Sequence, residues 1–234
     1  MFESEEQFEY RQRELEDNLE MSDRFFARYF SLLDRFADLP ACDELIMSQL
    51  EKEFPRDFID SLERYDEHQP PDEIDELDEA GLKEADPWEE QEGKELPPEM
   101  RMLRQLELRG RKIGWTFYQC VMDWSNIQIV LLSTSLGKLA LRVMFYLGRS
   151  LGGFNLGMDS LASHETGSGI VFFKRVQSYC NQGNAIILEL SKQAPVDMRE
   201  VLLNRMQQID NLHKELENQV EDCRELLRLE GGGI

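Results

Sequence analysis

The sequence predicts an all-α fold: an elongated antiparallel bundle of four main helices, with short extra helices and an acidic insertion. Apolar residues recur alternately every three and four positions in four segments, the spacing of a helix face that packs against other helices. Proline is sparse, at 8 of 234 residues, so that long helices are not interrupted. Because every amphipathic helix must bury its apolar face against another, four such faces favour a bundle.

The four main helices are predicted from these apolar faces in chain order. The faces run from Leu15 to Phe36, from Leu103 to Thr134, from Phe173 to Leu190 and from Leu202 to Leu227. The first, second and fourth helices are expected to span about 30 residues or more, which corresponds to roughly 45 Å at 1.5 Å per residue. These lengths are the reason for expecting an elongated body.

The segments between the main helices carry weaker signals. Cys42 to Leu50 and Pro55 to Tyr65 are typical of short helices. Six glycines between Gly148 and Gly169 predict a loop or a broken segment after a shorter helix from Leu136 to Leu147. Pro195 suits the first turn of a helix, so we expect a helical hairpin there. A single long kinked helix through Pro195 is the alternative.

Charge is distributed unevenly along the chain, which carries 47 acidic and 26 basic residues. The net charge is −12 over residues 1–68, −10 over residues 69–98, +5 over residues 99–193 and −4 over residues 194–234. We therefore expect acidic N-terminal helices over 1–68 that pack on the bundle, an acidic flexible linker over 69–98 and the bundle body over 99–234. The overall negative charge makes binding to nucleic acid phosphates unfavourable.

A basic run at the start of the second main helix raises the alternative of binding to RNA or anionic lipid. It consists of Arg101, Arg104, Arg109, Arg111 and Lys112, followed by Trp115, Phe117 and Tyr118. The aromatic residues mostly continue the apolar helix face, so we predict that they belong to the core. The basic residues are then expected to pair with acidic residues of this chain or of a second subunit.

The localisation predicted from the sequence is cytoplasmic. The four cysteines are far apart and include no Cys-x-x-Cys pair, and the first residues show no secretory pattern. The most apolar window, Ile127 to Gly148, contains Lys138 and Arg142. Each of these charges costs about 2.5–3.5 kcal/mol at the centre of a bilayer. A buried core helix is therefore favoured over a membrane span, with a peripheral membrane protein as an alternative.

The possible metal ligands are His213, Cys180 and Cys120. Asp210 and Glu217 lie three residues before and four after His213, a spacing that resembles half of a di-metal site in a helical bundle. If the hairpin forms, Cys180 and His213 share one layer, with Cys120 as a third ligand for zinc. A second acid-x-x-His pair is missing, and buried cysteines are usually small hydrophobes. We therefore expect no metal and no other cofactor.

The acidic stretch around Trp88 is interpreted as a tether or as a partner-binding segment. It contains Ile74, Leu77, Leu82 and Trp88 among many carboxylates, which is more apolar surface than a pure spacer needs. Charge can steer an encounter with a basic groove while the large side chains supply affinity. The basic surface is either another protein or the second main helix of this chain.

The predicted function is that of a non-enzymatic helical protein-protein interaction protein, such as an adaptor, a scaffold or a regulatory subunit. A protein partner or self-association through the long helices is expected, and the sequence names no small-molecule substrate. The alternatives are a helical metalloprotein or enzyme that uses His213 and the buried cysteines, and a peripheral membrane protein.

Overall fold

The computed structural model describes residues 5–36, 39–67 and 97–230. Within this part the chain forms helices only, which confirms the all-α prediction. The helices are α1 (Glu5–Phe36), α2 (Cys42–Glu53), α3 (Arg56–Glu67), α4 (Pro98–Leu132), α5 (Gly137–Ala162), α6 (Thr166–Gln193) and α7 (Val196–Glu230). Helices α1, α4 and α7 contain 32, 35 and 35 residues, in agreement with the long helices expected from the sequence.

The chain divides into two compact units. One consists of residues 16–92, and the other consists of residues 1–15 together with residues 93–234. The predicted acidic linker, residues 69–98, falls almost entirely outside the described residues. So do the four partner-binding candidates Ile74, Leu77, Leu82 and Trp88.

The unit of residues 16–92 has a small core of its own, built by α1, α2 and α3. Its buried apolar side chains are Phe25, Leu32, Ile46, Leu50 and Ile59. The Phe25 ring meets the rings of Phe54 and Phe58 edge-on, with centroid distances of 5.2 and 5.7 Å. The two short helices predicted at Cys42 to Leu50 and Pro55 to Tyr65 are confirmed as α2 and α3.

The other unit contains α4 to α7, arranged as an antiparallel array in which each helix packs against the next and α7 packs against α4. Connections of only four, three and two residues separate the successive helices, which makes them antiparallel neighbours. One contact marks each neighbouring pair: Trp124 with Ala140, Ser150 with Cys180, Asn184 with Asp210, and Arg109 with Asp222.

Aromatic rings fill the middle of this array. Phe117 of α4, Phe154 of α5 and Phe173 of α6 are at most 1% exposed. Their ring centroids are 5.6 Å apart between Phe117 and Phe154 and 5.5 Å apart between Phe154 and Phe173. This contact chain joins three helices through side chains that each bury a large apolar area.

Helix α5 contradicts the expectation of a loop or broken segment beyond Leu147, because it continues without interruption to Ala162. Two of its glycines allow α6 to approach closely. A Cβ atom at Gly157 would lie 2.5 Å from the Phe173 ring, and one at Gly153 would lie 3.0 Å from Val176. Packing against α6 therefore offsets the low helix propensity of glycine. Within the unit that contains residues 93–234, helix α5 completes an array of four helices.

The hairpin predicted at Pro195 is confirmed, and the alternative of one long kinked helix is wrong. Helix α6 ends at Gln193 and α7 begins at Val196. The side chain of Asn181 on α6 lies 3.3 Å from the ring of His213 on α7, so the two helices run back along each other.

The apolar window from Ile127 to Gly148 is divided between the end of α4 and the start of α5. Ile127, Leu131, Ala140, Val143 and Leu147 from this window are buried in the core of the array. Across residues 5–36, 39–67 and 97–230, none of the helices combines the length and the apolar character that crossing a membrane requires.

Candidate interaction surface on helix α4

Helix α4 has one face that belongs entirely to the core, as the sequence predicts. Its buried members follow each other at intervals of three and four residues from Leu103 to Leu131. Phe117 is fully buried and Trp124 is 1% exposed. The Trp124 indole Nε1 donates a hydrogen bond of 3.0 Å to the backbone oxygen of Ala140, which joins α4 to α5.

A second set of residues on α4 repeats the same spacing but lies on the solvent side. We call it the outer row. It consists of Leu108, Arg111, Trp115, Tyr118, Met122, Ser125, Ile129 and Leu132. The intervals alternate between three and four residues throughout, so that the members share one stripe along the helix.

The outer row exposes large apolar side chains over its whole length. Ile129 is 69% exposed, Met122 48%, Leu132 47% and Leu108 42%. Trp115 and Tyr118 are partly exposed, and their rings stack with centroids 5.5 Å apart. Scattered exposed apolar residues are normal, but a continuous row of them is typical of an interaction surface.

The aromatic residues near the basic run therefore divide between two faces. The expectation that they belong to the core is correct for Phe117 and wrong for Trp115 and Tyr118. The reason is helical geometry: each residue advances about 100° around the axis, so Trp115 points far from Phe117 although only one residue separates them. The signal that could have identified this face is the repeat of Leu108, Trp115, Met122 and Ile129 at every seventh position.

The chemistry of the outer row suits a second helix. Alternating intervals of three and four place apolar side chains where the side chains of a facing helix can interdigitate. Tryptophan, tyrosine, methionine and arginine are also the residue types enriched at protein interfaces. Arg111, which is exposed near the start of the row, adds a positive charge for an acidic residue of the facing helix.

A cavity of about 400 Å³ lies between α4 and α7, on a different side of α4. Its lining residues are Arg109, Lys112, Ile113, Thr116, Gln119, Cys120 and Asp123 of α4 with Gln208, Asn211, Leu212 and Glu215 of α7. Two ion pairs cross from α7 to α4 beside it, Asp222 with Arg109 at 2.5 Å and Arg205 with Asp123. Both signs of charge are present in its walls, and the described residues that line it include no histidine.

Cys120, one of the three predicted ligand candidates, lies in the wall of this cavity and is 5% exposed. Burial raises the pKa of its thiol to about 11, because the thiolate would lose its hydration there. Arg205 acts in the opposite direction but more weakly. The thiol is therefore neutral at pH 7, whereas nucleophiles and metal ligands are thiolates.

Cys180 and His213 lie at similar depth along the α6–α7 hairpin, but they have different neighbours. The Cys180 sulfur lies 3.8 Å from the Ser150 hydroxyl of α5, and burial raises the pKa of the thiol to about 12. His213 contacts Asn181, and its Nδ1 lies 3.7 Å from a carboxylate oxygen of Glu217. Within the described parts of the chain, no three histidine, cysteine, aspartate or glutamate side chains are grouped closely enough to hold a metal ion.

The buried thiols predict a loss of stability at alkaline pH. An unfolded cysteine titrates near pH 9.0, whereas Cys120 and Cys180 keep their protons up to about 11 and 12 in the folded state. Between pH 9 and 11 the unfolded state therefore binds fewer protons, and the free energy of unfolding falls as pH rises. We expect each thiol to contribute a loss of about 1 kcal/mol between pH 8.5 and 10.

Urea unfolding at the two pH values checks this expectation. The double variant Cys120→Ala and Cys180→Ala should lose less stability over the same interval than the wild-type chain, because other titrating groups affect both proteins equally. Equal losses in the two proteins would contradict the assignment of the effect to these thiols.

Comparison of the chain with known proteins gives no further information about the outer row, the cavity or the thiols. The chain matches no protein-family model, no curated protein and no solved structure.

Proposed function

We propose that this protein is a non-enzymatic helical interaction protein, an adaptor, a scaffold or a regulatory subunit, and that it binds a helix of a protein partner along the outer row of α4. The observation that carries the proposal is a row of exposed or partly exposed residues from Leu108 to Leu132 at intervals of three and four, of which six of the eight are large and apolar or aromatic. The row is ~36 Å long at 1.5 Å per residue, enough for about seven turns of a facing helix.

The proposed partner is an amphipathic helix with an acidic flank. Its apolar residues at intervals of three and four would meet Trp115, Met122 and Ile129, which supply most of the area that can be removed from water. Its acidic residues would lie near Arg111, where charge complementarity sets the direction of the bound helix. RNA is a poorer match, since the row offers one arginine and a mostly apolar surface.

Two exposed apolar members of the outer row provide a direct test. The double variant Met122→Glu and Ile129→Glu should lose capture of the partner, because two carboxylates would have to be buried against its apolar face. The melting temperature should stay close to that of the wild type, since both side chains are exposed. The matched control is Gln182→Glu with Ala185→Glu, which places the same charges on the exposed side of α6.

A photo-crosslinking residue at position 122 shows whether capture takes place on this surface. In native extract it should form a covalent adduct with one protein partner, whereas the same residue at position 185 should not. If position 122 yields no adduct, or if the control pair of glutamates abolishes capture equally well, the outer row is not the binding surface.

The acidic segment is proposed to assist partner capture without being part of the fold. Deletion of residues 71–96 should leave the helical circular dichroism signal and the melting temperature nearly unchanged, because the segment has too little apolar surface to form a core. It should reduce the amount of partner captured, and Trp88→Ala should reproduce part of that reduction. A large loss of unfolding cooperativity on deletion would show instead that the segment belongs to the core.

The alternative of a helical metalloprotein or enzyme makes a different prediction. It requires stoichiometric zinc or iron in protein purified without added metal, and it requires that the metal is lost in His213→Ala. Elemental analysis that finds both would contradict the proposed function.

A further inference from the structure

The intervals along the outer row of α4 form a symmetrical series. They are three, four, three, four, three, four and three residues, so the series is the same when it is read from either end. If two copies of α4 pair in antiparallel orientation, with the centre between Tyr118 and Met122, every residue of one row therefore lies level with a residue of the other row. The level pairs are Leu108 with Leu132, Arg111 with Ile129, Trp115 with Ser125, and Tyr118 with Met122.

The residues that become level in this arrangement are complementary in size. Trp115, which has the largest side chain of the row, lies level with Ser125, which has the smallest. In a parallel pair, two Trp115 rings would have to share one level, and two Ser125 side chains would leave a gap farther along the row. Parallel pairing would also place the two Arg111 guanidinium groups against each other. Size and charge therefore both favour the antiparallel pair.

Ser125 can be covered by an aromatic ring without losing a hydrogen bond. Its hydroxyl donates to the backbone oxygen of Met122 on the same helix, at 2.7 Å, so its proton does not depend on water for a partner. The Ser125 oxygen keeps a lone pair, which can accept the indole N–H of Trp115 from a second copy. Burial of a hydroxyl group whose hydrogen bonds are retained costs little.

The large side chains of the row are accessible to a second copy. Ile129 is 69% exposed and Met122 is 48% exposed. The ring contact of Trp115 is with Tyr118, another member of the row, so the two rings present one stacked pair to a facing helix.

We infer that the outer row of α4 is covered by the outer row of a second copy of this chain in antiparallel orientation, and that this self-association closes the partner site. The closing of the partner site rests on the function proposed above, whereas the pairing of the two rows does not. The contact is isologous, as in most homodimers. Eight residues from each copy are few compared with the ~20–30 per side of stable complexes, so the expected Kd is on the order of 10 μM.

Sedimentation velocity of the full chain over ~1 to 500 μM tests the pairing, since this interval spans the expected Kd. The wild type should shift from monomer to dimer. Ser125→Trp should raise the Kd at least tenfold, because two tryptophans then compete for the same level. Addition of Trp115→Ser to that chain exchanges the two residues and should restore the Kd. The matched control Ala185→Trp, at an exposed position of α6, should dimerise like the wild type.

Engineered cysteines at the ends of the row test the orientation. The background variant Cys42→Ser removes a cysteine that is only partly buried, and the three native cysteines that remain are buried. Under a mild oxidant, an equimolar mixture of Leu108→Cys and Leu132→Cys chains should form a disulfide-linked dimer. Either variant alone should not, because its two cysteines would lie ~36 Å apart. A parallel pair would give the opposite result.

The disulfide-linked dimer also tests whether self-association closes the partner site. Incubated with native extract, the linked dimer should capture no partner, while the same chains after reduction and dilution to nanomolar concentration should capture it. If neither form captures a partner while the wild type still dimerises, the proposed function fails and the pairing of the rows stands. Equal capture by the linked and the reduced chains overturns the closing of the site.

Three other results overturn the pairing itself. The first is a wild type that stays monomeric at ~500 μM, far above the expected Kd. The second is a dimer that Ser125→Trp does not weaken, or that the exchange with Trp115→Ser does not restore although circular dichroism shows a folded chain. The third is a disulfide that forms within the single variants and not in their mixture.

Discussion

Replacing Trp124 with alanine is expected to lower the free energy of unfolding of the four-helix array by about 3–5 kcal/mol. The indole is 1% exposed, so the change removes a large apolar area from the core and leaves a cavity. It also removes the 3.0 Å hydrogen bond to the Ala140 oxygen, the contact that joins α4 to α5. Denaturant unfolding followed by circular dichroism at 222 nm measures the change.

Trp115 is the matched control for this prediction, because it is the same residue type nine positions earlier on the same helix. Its ring stacks on Tyr118 in the outer row and is partly exposed. Trp115→Ala should therefore cost less than about 1 kcal/mol of stability, while it should weaken binding of the proposed partner. Equal losses of stability in the two variants would mean that the outer row is buried in the folded protein.

Opposite effects are expected from the same substitution at two glycines of α5. Gly157→Ala should lower the free energy of unfolding by about 1–3 kcal/mol, because its Cβ atom would lie 2.5 Å from the fully buried ring of Phe173. Gly148→Ala should raise it by about 0.5–1 kcal/mol, because alanine has the higher helix propensity and nothing stands in its way.

Thermal unfolding of the two alanine variants at low protein concentration measures both effects on the monomer. A neutral Gly157→Ala would show that α5 and α6 do not approach each other as closely as the structure indicates. A destabilising Gly148→Ala would show that this position is packed against another part of the same chain.

The proposed partner surface on α4 follows from one property of the array. Each of its helices uses one face for the common core, so any second apolar face remains on the outside. Helix α4 carries such a face from Leu108 to Leu132. This face is rich in large side chains, which suits contact with a helix of a protein partner.

Several parts of this structure could be predicted from local patterns. The buried faces of α4, α6 and α7 follow the periodicity of apolar residues, because a helix turns by a constant angle per residue. The hairpin at Pro195 follows from the conformation of proline itself. The two short helices α2 and α3 follow from the local pattern of apolar residues. In each case the signal lies within a few residues and does not depend on what packs opposite.

The roles of the α5 glycines and of Trp115 could not be predicted in this manner. Glycine lowers helix propensity everywhere, and only the position of Phe173 shows why Gly157 is compatible with a continuous helix. Likewise, α4 carries two apolar stripes, and their periodicity does not show which of them is buried. The stripe that contains Phe117 and Trp124 is buried because the neighbouring helices pack against that side.

The sequence by itself determined the all-α class, the extent of the long helices and the place of the last hairpin, since these depend on interactions along the chain. Only the tertiary structure decided that α5 completes the array, that Cys180 and His213 have different neighbours, and that α4 keeps a second apolar face exposed. The physical reason is that the free energy of a glycine, a thiol or an aromatic ring depends on the groups that lie opposite it, and these come from distant parts of the chain.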